Sequence, residues 1–216
     1  MISFNFETGQ LVAESGVLLS EIIEVFLKKG WFPYVSPGTK FATLGGMIAS
    51  DVHGKNHHID GSMGNYVDWI DLLDESGNII NCSLKKNKEL FLWTIGGMGL
   101  TGIIVRAAIR LRPIETGWIE KKTIPANNLD HVIDIFEKYS NAPYSVAWID
   151  CLKKGENLGR SLVMMGKHSN INDLPLSKRN APFKTKIRKK IKIPFDFPSW
   201  FLSSWTVSIF NEFYFQ

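Results

Sequence analysis

Apolar and polar positions along the chain fall into two periods. From Ile2 to Glu14 they alternate, with Thr8-Gly9 breaking the alternation, which predicts a hairpin of Ile2–Phe6 with Gln10–Glu14. From Val17 to Lys29 the residues Leu18, Leu19, Ile22, Ile23, Phe26 and Leu27 recur at helical spacing, Lys28 and Lys29 sit at the end, and Gly30 stops the run. Trp31-Phe32-Pro33 turns back toward the sheet layer. Ala42–Gly46 reads as a short extended piece, and Gly45–Ala49 as the opening of a helix whose start is nearly bare backbone. Tyr66–Leu73 and Asn78–Ser83 pair as strands about a turn at Asp74–Asn78, Glu89–Thr94 is a short helix, and Ile103–Leu111 is a strand ending at Pro113. Beyond Ile114 glycine thins out, and a helix over Leu129–Tyr139 alternates with strands at Ser145–Asp150 and Ser161–Met165. Asn170–Ile193 reads as a mobile loop, followed by an aromatic-rich stretch for which a core strand is one reading. The fold class is α+β, with a domain over 1–115 and a second over 116–216.

Composition bounds the class. The chain has 216 residues, 44% hydrophobic and 21% charged, values of a globular protein. MISFNFETGQ has neither the basic nor the apolar region of a signal peptide, and no run reaches the ~20 apolar residues of a membrane span. Two cysteines, Cys82 and Cys151, make no disulfide framework and no metal-ligand spacing, so they read as small core residues in a reducing compartment, and a cytoplasmic location is expected. Net charge is +4, but eight basic residues and no acidic one lie between Lys178 and Lys192, leaving 17 basic against 21 acidic elsewhere. The basic character therefore belongs to one segment, and the chain is not expected to bind nucleic acid. That segment precedes Phe195, Phe197, Trp200, Phe201 and Trp205. Basic residues beside aromatics suit peripheral contact with an anionic membrane face, the alternative being a solvated loop.

The candidate chemistry concentrates between Pro37 and Asn65, in PGTKFATLGGMIASDVHGKNHHIDGSMGN. Six of the eighteen glycines lie there (Gly38, Gly45, Gly46, Gly54, Gly61, Gly64), with three of the five histidines (His53, His57, His58). Glycine lets a backbone approach a ligand where a side chain would block it. Exposed amides at a glycine-rich helix start suit anions, phosphate above all. A second cluster, Gly96 to Gly102 (GGMGLTG), follows the short helix. Adjacent His57 and His58 point apart on most backbones and have no partner at ligand spacing, so no metal site is expected.

The central stretch, GGMGLTG and the later YSVAWIDC…LGRS run together resemble the flavoprotein oxidoreductases of the vanillyl-alcohol-oxidase / p-cresol-methylhydroxylase (PCMH) type, and within these the decaprenylphosphoryl-ribose oxidase family, over Ile2 to about Tyr214. DVHGKNHHIDGSMGN, at 51–65, is the most specific part. The resemblance implies FAD as cofactor and a fold in which 1–115 is the second part of a PCMH-type FAD-binding domain and 116–216 the beginning of an α+β substrate domain. It places Gly38, Thr43, Leu44, Gly45, Gly46, Ser50, Asp51, Val52, His53 and Ile104 against FAD. His53 and Lys55 fall beside the isoalloxazine and the sugar pocket, and Arg160 in the substrate domain, where it holds a phosphate or carboxylate or else makes a structural salt bridge.

The implied reaction oxidises a secondary alcohol of a sugar, the C2 hydroxyl of a polyprenyl-phosphate-linked ribose, with an NAD(P)-dependent reductase as the partner that completes epimerisation. Aldonolactone or sugar-alcohol oxidation on the same fold, and an inactive remnant that holds no FAD alone, are the competing readings. Family members carry an arginine/glycine/serine pyrophosphate loop before the position of Ile2 and further strands beyond that of Gln216, so the chain reads as a central fragment.

Overall fold

The computed structural model of the protein describes residues 1–184 and 196–215. Contacts divide it into two compact units, the first of Met1–Trp118 with His168–Lys184, the second of Ile119–Lys167 with the C-terminal stretch. The return of His168–Lys184 to the first unit is a division that a boundary drawn along the sequence does not contain.

The first unit is built on a mixed-length antiparallel sheet. Its strands are β1 (Ser3–Asn5), β2 (Gln10–Glu14), β3 (Trp31–Pro33), β4 (Val67–Leu73), β5 (Ile79–Ser83) and β6 (Ile103–Pro113), in the order β1-β2-β6-β4-β5 with β3 on the far end of β6. The central strand is β6: Arg106–Arg110 pair with β2, Ile103–Ile109 with β4, and Leu111–Pro113 with β3. Two register shifts in the β4–β6 ladder, between Val67 and Trp69 and between Asp71 and Leu72, explain why β6 alternates imperfectly in sequence.

Helix α1 (Leu19–Phe26) continues into a 3-10 turn over Leu27–Lys29, and Gly30 ends it at φ 78°. Glu21 accepts from the Leu18 N–H at 2.8 Å, which starts the helix. Its buried stripe of Leu19, Ile22 and Phe26 packs on the sheet's inner face with Leu11, Ala13, Ile70, Leu72, Ile109 and Leu111, each such side chain stabilising by about 1.5–3 kcal/mol. Helix α2 (Leu44–Ala49) buries Leu44, Met47 and Ile48 in the same core, and α3 (His57–Asp60) and α4 (Lys88–Thr94) complete the unit with α6 (Leu176–Arg179). The expected extended piece ends earlier than the pattern suggests. Thr43 is the last extended residue, bridged to Leu18, and Leu44 to Gly46 are already helical because Thr43 caps them.

The second unit has a three-stranded sheet, β7-β9-β8, of β7 (Ile119–Ala126), β8 (Tyr144–Ile149) and β9 (Ser161–His168), with α5 (Leu129–Lys138) packed on it through Val132 and Ile135. Strand β7 carries few apolar positions and is exposed along Ile119–Thr123, so no period marks it in the sequence. The aromatic stretch is not a core strand: Ser204–Phe215 form helix α7, with Trp205, Phe210 and Phe213 exposed. The expected loop over Asn170–Ile193 contains a 3-10 turn at Ile171–Asp173 and α6; its residues 185–193, and with them most of the basic run, lie outside the described residues. Among the described residues no helix is long and apolar enough to cross a membrane.

One polar knot fastens α7 to this sheet. Arg160 donates to Asp150 at 2.7 Å and to Glu212 at 2.8 Å, its guanidinium lying 4.4 Å from the Phe215 ring centre, while Asn211 donates to the other Asp150 oxygen at 2.6 Å and Lys153 pairs with Glu212. Burial opposes the charge on Asp150, but Arg160, the Leu152 N–H and Asn211 outweigh it and hold its carboxyl below the usual range. Arg160 and then Lys153 pull Glu212 from an ordinary 4.5 down to about 2. A carboxylate depressed on folding contributes stability that is complete above its unfolded value and fades as pH falls through its folded one. The attachment of α7 is therefore expected to loosen between pH 4.5 and pH 2, read as rising amide exchange in residues 204–215. Glu212→Gln should raise exchange there at neutral pH and make the acid dependence shallower.

Candidate functional site

The two glycine clusters meet. The start of α2 is locked to the β2–α1 connection: the Leu44 N–H donates to the Val17 carbonyl and the Gly45 N–H to the Ser15 carbonyl, both at 2.8 Å. A Cβ on Gly45 would lie 2.7 Å from Ser15 Cβ, so only glycine permits this approach. At the other end of α2, Gly96 donates to Ile48 (3.0 Å) and Met98 to Ala49 (2.8 Å), which docks the GGMGLTG loop on the helix. Ser15 in turn donates to Val105 of β6 at 2.9 Å. These bonds frame an open cavity of about 330 Å³ lined by Ser15, Gly16, Thr43, Gly45, Gly46, Ala49, Gly99, Gly102, Ile103 and Ile104.

Its walls are shaped rather than charged. Every lining residue is neutral. The amides expected to face an anion are already used within the fold: Gly46 donates to Thr43 Oγ1 at 3.2 Å and Met47 to the Thr43 carbonyl at 2.9 Å, in addition to Leu44 and Gly45. This corrects the bare-amide expectation, and its cause is the Thr43 cap together with the Ser15 and Val17 carbonyls. What remains bare is the glycine surface. Nothing stands within 4 Å of a Cβ position at Gly16 or Gly99, and at Gly46 only Thr43 Oγ1 does, at 3.0 Å. Such a wall admits flat or tightly apposed groups, and its volume suits one portion of a dinucleotide.

Following α2, the chain enters a loop closed by two carboxylates. Asp51, at φ 40°, accepts from the Ser62 hydroxyl and the Gly64 N–H, each at 2.8 Å. Asp60 accepts from Asn56 and Arg112, and its carbonyl from the Tyr66 hydroxyl at 2.8 Å. His53 bridges to Ser62 in strand fashion, its ring edge-on to His57 with centroids 5.0 Å apart. His53, Lys55 and His57 project from this braced loop and are exposed.

Of the residues singled out in the sequence, the fold gathers Thr43, Gly45, Gly46 and Ile104 at one cavity, with Leu44 buried beneath it. Ser50, Val52, His53 and Lys55 lie on the segment leaving α2, Val52 packed against the core. The Asp51 carboxylate is spent on the loop, and it borders a wider cleft of about 1030 Å³ with Ser62, Trp69, Asn81 and Arg110. Gly38 is exposed outside both cavities, and Arg160 belongs to the second unit, its guanidinium taken by Asp150 and Glu212. Sequence reading missed Ser15 and Gly16, which look like an ordinary turn before α1, and Asn56, Asp60 and Arg112, whose meeting no spacing announces.

Residues 1–83 match the family model described as FAD binding domain. This stretch is similar to part of an FAD-binding domain. FAD is accordingly its cofactor, and the bare backbone around Gly16, Gly46 and Gly99 leaves room for a closely apposed group of that kind. The whole chain is also similar to decaprenylphosphoryl-beta-D-ribose oxidase of Mycolicibacterium smegmatis, 34% identical over 99% of this chain and 47% of the relative. Cytokinin dehydrogenase 10 of Oryza sativa subsp. japonica is 32% identical over 43% of this chain and 17% of its own length. D-lactate dehydrogenase of Anaerostipes hadrus is 28% identical over 62% of this chain and 29% of its own. The chain thus spans less than half the length of each of these relatives. Among the described residues no group of three His, Cys, Asp or Glu side chains is placed to hold a metal ion.

Two substitutions separate packing from cofactor binding. Gly45→Ala drives a methyl group into Ser15 and should cost about 1–3 kcal/mol in thermal or denaturant unfolding. Gly16→Leu meets no neighbour, so stability should change by less than about 0.5 kcal/mol, while FAD uptake in a fluorescence titration falls because the side chain enters the cavity.

Proposed function

We propose that the chain is part of an FAD-dependent oxidoreductase that oxidises a secondary alcohol of a sugar, the C2 hydroxyl of a polyprenyl-phosphate-linked ribose. The observation that carries this reading is the convergence of the two glycine clusters on one uncharged cavity, with the braced His/Lys loop following directly from its helix. Similarity along nearly the whole chain to a ribose oxidase supports the substrate class. FAD, when bound, supplies the hydride acceptor. Thr43, Gly45, Gly46, Gly99 and Ile104 hold its dinucleotide portion by close backbone approach, and Ser50 to His53 follow it toward the reacting end. His53 takes the hydroxyl proton as the carbinol carbon loses its hydride. Lys55 sets a positive charge beside the oxygen where negative charge develops.

Residues 1–115 act as the cofactor part and 116–216 as the beginning of the substrate part. An NAD(P)-dependent reductase then returns hydride to the ketone and completes the epimerisation. The basic run at Lys178–Lys192, with the aromatics beyond it, brings the protein to the inner membrane face where a lipid-linked substrate resides.

The test is anaerobic mixing of the FAD-loaded protein with lipid-phosphate-linked ribose, free polyols or an aldonolactone, followed by the loss of yellow absorbance. Bleaching by the lipid-linked sugar alone is expected. Bleaching only by polyols or lactone would replace this substrate class, and a protein that stays colourless with FAD would remove the functional reading. His53→Ala and Lys55→Ala should each lower turnover by about 100-fold or more while flavin content stays near that of the parent; unchanged turnover in both would take them out of the site.

A further inference from the structure

Three buried polar atoms beside the His/Lys loop have no hydrogen-bond partner: Ser36 Oγ, Asn56 Oδ1 and Arg112 Nε. Two of them, on Asn56 and Arg112, belong to side chains that share their acceptors. Asn56 is fully buried, and its Nδ2 donates to the Tyr34 carbonyl at 2.7 Å and to the Asp60 carboxylate. The same carbonyl and carboxylate accept from Arg112, whose guanidinium lies 4.4 Å from the Tyr34 ring centre; Tyr34 stacks on Tyr66 at 4.0 Å. The Asn56 amide donors are thus tied to the Tyr34 carbonyl at the β3 exit and to Asp60 of α3, which Arg112 of β6 holds. The acceptor end faces the other way. A Cβ at Gly54 would stand 2.7 Å from Asn56 Oδ1 and 2.7 Å from the Ser36 carbonyl. Gly54 lies between His53 and Lys55, so the backbone carrying both side chains rests directly on the buried amide.

An asparagine that served packing alone would have both ends of its amide satisfied, because an unpaired buried acceptor is costly. Here one end is clamped and the other is spent on contact with the loop. We propose that Asn56 is a positioning residue for the flavin end of the site: from beneath Gly54 it fixes the height and direction of His53 and Lys55. This rests on the function proposed above, in which those two side chains face the reacting centre.

The test compares the parent chain with Asn56→Ala, which removes the support, and Gly54→Ala, which sets a methyl group against Asn56 Oδ1 and the Ser36 carbonyl alike. Amide hydrogen exchange across residues 51–61 and the visible circular dichroism of added FAD are read beside FAD affinity. Both variants are expected to raise loop exchange about tenfold with exchange in β4 and β6 unchanged, and to weaken the dichroism of bound FAD far more than its affinity. Unchanged loop exchange overturns the proposal, as does a parallel loss of affinity and dichroism, which marks a general structural role. If Asn56→Ala does not fold, Asn56→Ser, which keeps a small polar group beneath the loop, decides by the same measurements. A parent chain that takes up no FAD sinks the functional reading instead, and loop exchange alone then decides whether Asn56 holds the loop.

Discussion

Everything in the first unit depends on how closely one short helix is allowed to approach its neighbours. The start of α2 is held by the carbonyls of Ser15 and Val17, at a separation that the missing side chain of Gly45 makes possible. Its end is held by Gly96 and Met98, and the strand beside it by the Ser15 N–H. A six-residue helix has little stability of its own. Here its hydrogen-bonding ends are shared with three other segments, and its Leu44, Met47 and Ile48 are sunk in the sheet core. The cavity is the space left over when these backbones meet without side chains between them.

That origin explains the chemistry of the wall. Amides at a helix start attract anions when nothing else claims them. In this chain Thr43, Ser15 and Val17 claim all four, so what the wall offers is steric: open backbone at Gly16 and Gly99 beside the apolar Ile103 and Ile104. The loop that follows works on a different principle. Two carboxylates, Asp51 and Asp60, draw its ends inward, and the histidines and lysine are left outside on a frame whose polar interior is nearly, though not wholly, satisfied.

The second unit uses its buried charge for attachment. Arg160 carries the weight of α7 through Asp150, Glu212 and the face of Phe215. Removing one member of such a knot strands the others, which makes it a determinant of order more than of net stability. The outer face of α7 keeps Trp205, Phe210 and Phe213 in view of solvent, while the polar knot and the Tyr214 ring beside Trp148 hold its other face.

Much of the framework follows from local chemistry. Period and punctuation place the β1–β2 hairpin, α1 with its Gly30 stop, the β4–β5 pair about Asp74–Asn78, α4, β6 and α5 within a residue or two of where they lie, because in each the burial pattern or the turn residue is written into neighbouring positions. The glycine-rich stretches and the His/Lys cluster are legible as candidates for the same reason: residue type alone exposes backbone or supplies a titratable group. Strand β7 and helix α7 are not legible, since the one has no apolar face and the other has apolar residues on every side. Nor does any spacing show that Ser15 pairs with Gly45, that Gly96 docks on Ile48, or that Asp60 pairs with Arg112 across 52 positions. Those pairings are chosen by the sheet order that carries β6 between β2 and β4. Residue identity determined which groups were available for chemistry. Only the long-range antiparallel pairing decided which of them share a wall, because hydrogen bonds between distant carbonyls and amides leave no periodic trace in either segment.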